Sequence, residues 1–152
     1  PIIGWWVFIM ARVRIDVPDH FDFAMEMDVP IAFINRGNHL GNDSLVSCLN
    51  EARIAFMMAR FGQPYGVDGA MMINGDLAVE YRSEAYHGDR LRIEVAADDF
   101  HKYGCDFVYR VSCLTDGRVV ALAKTGMLLF DFTQKKLQEA PPVFFAAMGR
   151  PA

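Results

Sequence analysis

Apolar residues recur with period two from Phe23 to Ile31. Phe23, Met25, Met27, Val29 and Ile31 alternate with Ala24, Glu26 and Asp28, which predicts a strand. Downstream the period changes. Leu45, Leu49, Ala52, Phe56 and Ala59 recur at alternating spacings of four and three, predicting a helix from Asp43 to Phe61 that lays one stripe on a core. Asn42, Asp43 or Ser44 is expected to accept from the first-turn amides, and Gly62 with Pro64 to end the helix. From Met71 the period returns to two, with Met71, Ile73, Leu77, Val79 and Tyr81 on one face and Asn74, Asp76, Glu80 and Arg82 on the other. Gly88–Asp89 leads into Leu91, Ile93 and Val95, which alternate with Arg90, Arg92 and Glu94. His101–Gly104 turns into Cys105–Thr115, and Asp116–Gly117 is a tight-hairpin signal. Val119 to Phe132 is apolar on both faces, as a central strand covered on both sides would be. The predicted order is strand, long helix, then four strands joined by hairpins. The economical packing is α+β, an antiparallel sheet wrapped around one long central helix.

Composition bounds this picture. The chain has 152 residues, 53% apolar and 22% charged, which is one globular domain spanning 1–152 with no room for a separate cofactor module. Residues 1–22 read as a lead-in and 142–152 as a tail. A net charge of −4 argues against a polyanion-binding surface, so no nucleic-acid partner is expected. Cys48, Cys105 and Cys113 lack CxxC spacing and cannot all pair, which favours a reducing cytoplasm. The apolar run from Pro1 to Ala11 is far short of the ~20 residues of a spanning helix and has no preceding basic residues. It reads as a hydrophobic arm on a partner chain or as sequence upstream of a natural start at Met10; an edge strand is the third alternative. No membrane partner is expected. His20, His87 and His101 show no ligand spacing, so no metal is expected either.

The stretch Gly37-Asn38-His39-Leu40-Gly41-Asn42-Asp43, leading into Leu49-Asn50-Glu51-Ala52-Arg53, resembles the hotdog-fold acyl-CoA thioesterases. The branch most similar is that of the hydroxybenzoyl-CoA and long-chain acyl-CoA thioesterases, where a loop of the type Asp-x-x-Gly-His-Val-Asn-Asn precedes a helix ending Glu-Glu-Ala-Arg. Leu77-Ala78-Val79-Glu80-Tyr81, Gly88-Asp89-Arg90-Leu91 and Ala121–Phe130 match its strands, so the likeness runs from about Asp28 to Pro141. The resemblance implies hydrolysis of an acyl-CoA or acyl-carrier thioester at the helix amino terminus, where free amides and the helix dipole suit a carbonyl oxygen gaining charge. It implies a site completed between two copies, as a homodimer or a dimer of dimers. It implies no cofactor, coenzyme A being part of the substrate.

In that family the carbonyl donor comes from the position of Asn42. The position of the usual catalytic Asp is occupied here by Asn35, whose amide cannot act as base or carboxylate nucleophile. Asn35 is left to hold a water or the carbonyl. Asp43 and Glu51 are then the candidate bases, against the plainer readings of Asp43 as a cap and Glu51 as the partner of Arg53 or Arg82. His39 either hydrogen-bonds the carbonyl or orients the loop. Ser44, Ser47, Cys48, Glu51 and Ala55 share a stripe of small or polar residues that suits a substrate channel or a partner chain. For the coenzyme A arm, Arg36, Arg90, Arg92 and Lys124 are available, with Arg90 and Arg92 preferred. The loss of the Asp also supports a second function class, a shell that binds an acyl thioester without cleaving it. A dehydratase ranks last, because its His and Asp/Glu pattern is not visible.

Overall fold

One long helix lies against a curled antiparallel sheet. The computed structural model describes residues 13–150, so the apolar run of residues 1–10 lies outside the described residues. The strands are β1 (Phe23–Asp28), β2 (Gly66–Val67), β3 (Ala70–Tyr81), β4 (Arg90–His101), β5 (Gly104–Cys113), β6 (Val119–Asp131) and β7 (Lys136–Leu137). The long helix α1 spans Asn42–Phe61, a short helix α2 spans Pro142–Ala147, and Ile31–Phe33 forms a single 3-10 turn. The spatial order is β1-β4-β5-β6-β3-β2, with β7 beside β6.

The helix stripe is largely as the pattern predicts. Leu45, Leu49, Ala52 and Phe56 are buried, while Ala59 is exposed and Cys48 and Met57 join the core instead. The Phe56 ring sits 5.3 Å from that of Phe23 and 5.1 Å from that of Phe107, joining the helix to β1 and β5. Gly62 closes α1 with φ 70°, its amide donating to the Met58 carbonyl at 2.9 Å. At the Asp116–Gly117 hairpin, the Gly117 amide donates to the Cys113 carbonyl at 2.8 Å.

Four expectations are corrected. The first strand stops at Asp28, because Pro30 has no amide to continue a ladder; Ile31 enters the 3-10 turn and is 68% exposed. Second, β3 and β4 do not form a hairpin. β3 lies beside β6 and β4 between β1 and β5, so residues 82–89 carry the chain across the sheet. Alternation identifies strand faces but not strand neighbours. Third, the pairing of β3 with β6 slips between Asn74 and Asp76, where the Asp76 carboxylate accepts the Gly126 amide at 2.8 Å. That bulge inserts one residue and switches faces, so Met72 and Val79 pack on the core while Met71 and Ile73 turn the other way from Leu77 and Val79. Fourth, residues 142–147 are a helix rather than a tail. Phe144 is fully buried there, stacked 5.9 Å from Phe61 and edge-on to Phe100.

Residues 13–21 lie along the face of the sheet opposite α1. The Ile15 amide donates to Glu80 at 3.1 Å, Arg82 donates to the same carboxylate at 2.8 Å, and Glu80 is only 6% exposed. Farther along, the Arg110 guanidinium lies over the Phe21 ring at 4.9 Å. This explains the apolar second face of β6, where Leu122 is buried as well as Ala121 and Ala123. Among the described residues, no helix is long and apolar enough to cross a membrane.

Candidate functional site

The loop before α1 is held by its own backbone and by Asn35. The Asn35 amide donates to the His39 carbonyl at 2.9 Å, and the Asn38 amide to the Asn35 carbonyl at 3.0 Å, with Asn38 in the left-handed region at φ 62°. Asn35 Oδ1 accepts the amides of Gly37 at 2.8 Å and of His39 at 3.5 Å. Its oxygen is thus committed to the loop, and Nδ2 is the polar group left over. Two further backbone bonds fix the loop in space: Gly41 donates to Phe33 at 2.9 Å, and Leu40 donates to Ala85 at 2.7 Å. The second ties the loop to residues 82–89, the crossover between β3 and β4.

The helix start corrects the capping expectation. Gly41 occupies the cap position, and no side chain of Asn42, Asp43 or Ser44 bonds back to the first turn. The first intrahelical bond runs from the Leu45 amide to the Gly41 carbonyl at 2.9 Å, so the amides of Asn42, Asp43 and Ser44 have no partner within the helix. Asp43 folds its carboxylate over Gly41, with Oδ1 only 2.6 Å from where a side-chain carbon at 41 would stand. Tyr81, at the end of β3, donates to the Asn42 carbonyl at 3.1 Å. Partial burial and the nearby Asp43 charge raise the tyrosine pKa, so the phenol keeps its proton.

A concavity of about 300 Å³ opens at this helix start. His39, Asn42, Leu45, Tyr81, Glu84 and Val120 are among its walls. The Leu40 carbonyl, which can only accept, lies 3.1 Å from His39 Nδ1, so Nδ1 carries a hydrogen and in the neutral ring Nε2 is the acceptor. Nε2 lies 3.8 Å from Glu84 Oε1, and the other Glu84 oxygen accepts from the Tyr86 hydroxyl at 2.9 Å.

Of the residues singled out in the sequence, His39 and Asn42 therefore line the cavity, and Asn35 and Asp43 pack against the loop and cap that frame it. Glu51 stands exposed about two turns along α1. Among the described residues no ion pair joins it to Arg53 or Arg82; Arg82 pairs with Glu80. Arg90 bridges Glu26 at 3.4 Å and Asp28 at 3.1 Å, Arg92 lies 3.9 Å from Glu94, and neither lines the cavity. Lys124 is held between Asp76 and Asp106 on the face opposite the helix. Cys48 leaves the small-residue stripe for the core, and burial pushes its thiol up to about 11. Tyr81 and Glu84 were missed. Tyr81 reads in the sequence only as the end of a strand face, and Glu84 only as part of a cluster, Ser83-Glu84-Ala85-Tyr86-His87, between two clean strand patterns.

A profile described as the thioesterase-like superfamily matches residues 29–148. The chain belongs to the thioesterase-like superfamily. No curated protein sequence matches it. Among solved structures, this superfamily member is similar to a 1,4-dihydroxy-2-naphthoyl-CoA thioesterase from Synechocystis, at 14% identity over 84% of this chain and 95% of that one, with a TM-score of 0.73. It is also similar to the Staphylococcus aureus protein SAV2348 in complex with CoA, at 14% identity, 86% of each chain and a TM-score of 0.74. A third likeness is to a 4-hydroxybenzoyl-CoA thioesterase carrying an Asp-to-Asn substitution and complexed with 4-hydroxybenzoyl-CoA. There identity is 14% over 83% of this chain and 97% of that one, with a TM-score of 0.73. The fold is the hotdog fold, in this thioesterase-like chain as in those neighbours.

Proposed function

We propose that this thioesterase-like chain hydrolyses an acyl-CoA or acyl-carrier thioester to the free acid and thiol. The observation that carries the reading is the uncapped first turn of α1 opening on the cavity. Amides with no partner and the positive end of a 20-residue helix stand where a thioester oxygen would gain charge on attack. The Asn42 amide is the foremost donor, and Asn35 Nδ2 supplies a further donor beside the loop. The carbonyl is polarised there, and a carboxylate near the helix start activates water. The coenzyme A partner is supported by neighbours whose descriptions name CoA or CoA thioesters. Arg36 lies on the loop itself, closer to the cavity in the chain than Arg90 or Arg92, and suits the phosphates of that group.

The site is proposed to be completed by a second copy. Among the described residues, β3 pairs on its outer side only through Ala70 and Met71 with β2, leaving residues 73–81 as an open edge. Leu77 is 44% exposed on that strand and Tyr81 47%. Such an edge is a ready template for antiparallel addition.

A second reading, a module that binds an acyl thioester without cleaving it, is favoured by Asn35 at the place of the family's Asp. The test is thiol release from acetyl-CoA, benzoyl-CoA and palmitoyl-CoA in separate assays of the full chain. Hydrolysis of any one above the uncatalysed rate supports the first reading. Binding of one of them by calorimetry, with no thiol released from all three, replaces it with the second.

A further inference from the structure

Among the described residues lining the cavity at the start of α1, Glu84 is the only carboxylate. Asp43 is turned onto Gly41, and Glu51 is about two helical turns, or roughly 12 Å, from the free amides. Glu84 is also placed rather than loose. The Tyr86 hydroxyl holds Oε2 at 2.9 Å, Arg118 donates to the Glu84 backbone carbonyl at 3.1 Å, and Oε1 is left facing His39 Nε2 at 3.8 Å. On the other side of that gap, Nδ1–H on the Leu40 carbonyl fixes the imidazole with its Nε2 lone pair toward Glu84. Two acceptors cannot bond each other, but across a 3.8 Å gap one water can donate a hydrogen to each. A water so held has its own lone pairs free.

We propose that His39 and Glu84 together hold and deprotonate the attacking water, supplying the base that Asn35 cannot provide. This deepens the hydrolase reading and rests on it. The water oxygen attacks the thioester carbon as the carbonyl electrons move onto the oxygen at the α1 amides. The water proton passes to His39 Nε2, and the Glu84 carboxylate stabilises the imidazolium. The tetrahedral intermediate collapses with cleavage of the C–S bond. The thiolate takes the proton from Nε2, leaving the acid, the thiol and neutral His39. Tyr86 is a positioning residue, acting through Glu84.

The experiment is steady-state kinetics of the full chain with whichever of acetyl-, benzoyl- or palmitoyl-CoA the unaltered protein cleaves. Glu84→Gln, His39→Gln and the double variant are compared, each first checked for an unchanged circular dichroism spectrum. Each single variant is expected to lose about 10²- to 10⁴-fold in kcat, with KM within about threefold. The double variant should lose no more than the worse single, because the two act as one unit. Tyr86→Phe should lose about threefold to tenfold in kcat, again without a matching rise in KM. If either Gln variant misfolds, Glu84→Asp withdraws the carboxylate while keeping its charge, and a kcat loss of at least about tenfold is expected from it. Retention of kcat by any folded Glu84 or His39 variant overturns the pair while leaving the hydrolase reading intact, and so do losses that multiply in the double. Absence of thiol release by the unaltered protein from all three thioesters overturns both.

Discussion

Tyr81 gives its phenolic hydrogen to the carbonyl of Asn42, 39 residues away in sequence and 3.1 Å away in space. The last residue of β3 thereby holds the first residue of α1. Tyr81→Phe keeps the ring and removes one hydrogen bond at a partly exposed position. The expected loss is about 1 kcal/mol, seen as a fall in Tm of about 2–4 °C. The companion measurement is kcat/KM on a cleaved thioester, which should fall as the helix start loosens.

Two glycine substitutions should differ sharply. A side-chain carbon at Gly41 would clash with the end of the Asp43 side chain, which can swing away, and would meet Ser44 and Asn35 at ordinary contact distances of 3.5 and 3.7 Å. Gly41→Ala is therefore expected to cost within about 0.5 kcal/mol. At Gly66 the same carbon would stand 1.9 Å from the Ala70 backbone carbonyl oxygen, and only separation of β2 from β3 relieves that. Gly66→Ala should cost about 2 kcal/mol or more in a denaturant titration. Equal costs at the two positions would contradict this account.

All three cysteines are unpaired and buried. Burial raises the Cys48 thiol to about 11 and moves Cys105 the same way, beyond the ordinary thiol range. A raised thiol pKa means less thiolate at any given pH, and the thiolate is the reactive species. The native chain should give no reaction with a thiol-specific chromogen at pH 7–8, and three equivalents after unfolding. Rapid native reaction would show that the core opens readily.

The open edge of β3 predicts self-association. Leu77→Arg places a charge on the strand expected to meet its copy. Sedimentation should show a shift from dimer toward monomer, and thiol release should fall with the dimer fraction. A monomeric unaltered chain with full activity would remove the second copy from the site.

Much of this was legible before any coordinates. α1 was written in Leu45, Leu49, Ala52 and Phe56, and its end in Gly62, because helix periodicity and left-handed caps are local properties. The hairpin at Gly117 was equally local. What escaped depends on partners far along the chain. The face switch in β3 rests on the Asp76 carboxylate meeting the Gly126 amide, 50 residues on. The cap rule pointed to Asn42, Asp43 or Ser44, yet Gly41 takes the position and Asp43 folds back over it. Cavity-lining residues within one segment, His39 and Asn42, were visible from a motif. Glu84 was not, because its place beside His39 follows from the bond of Leu40 to Ala85, which no local pattern announces.

That bond from Leu40 to Ala85 also bears on how the protein comes to be active. The two segments it joins are 45 positions apart and meet only after residues 82–89 have crossed from β3 to β4, so their closure belongs to the slow, long-range stage of assembly. During refolding from denaturant, helical signal should therefore return first and thiol release last. Turnover is then a stricter reporter of the completed sheet than any spectroscopic measure of secondary structure.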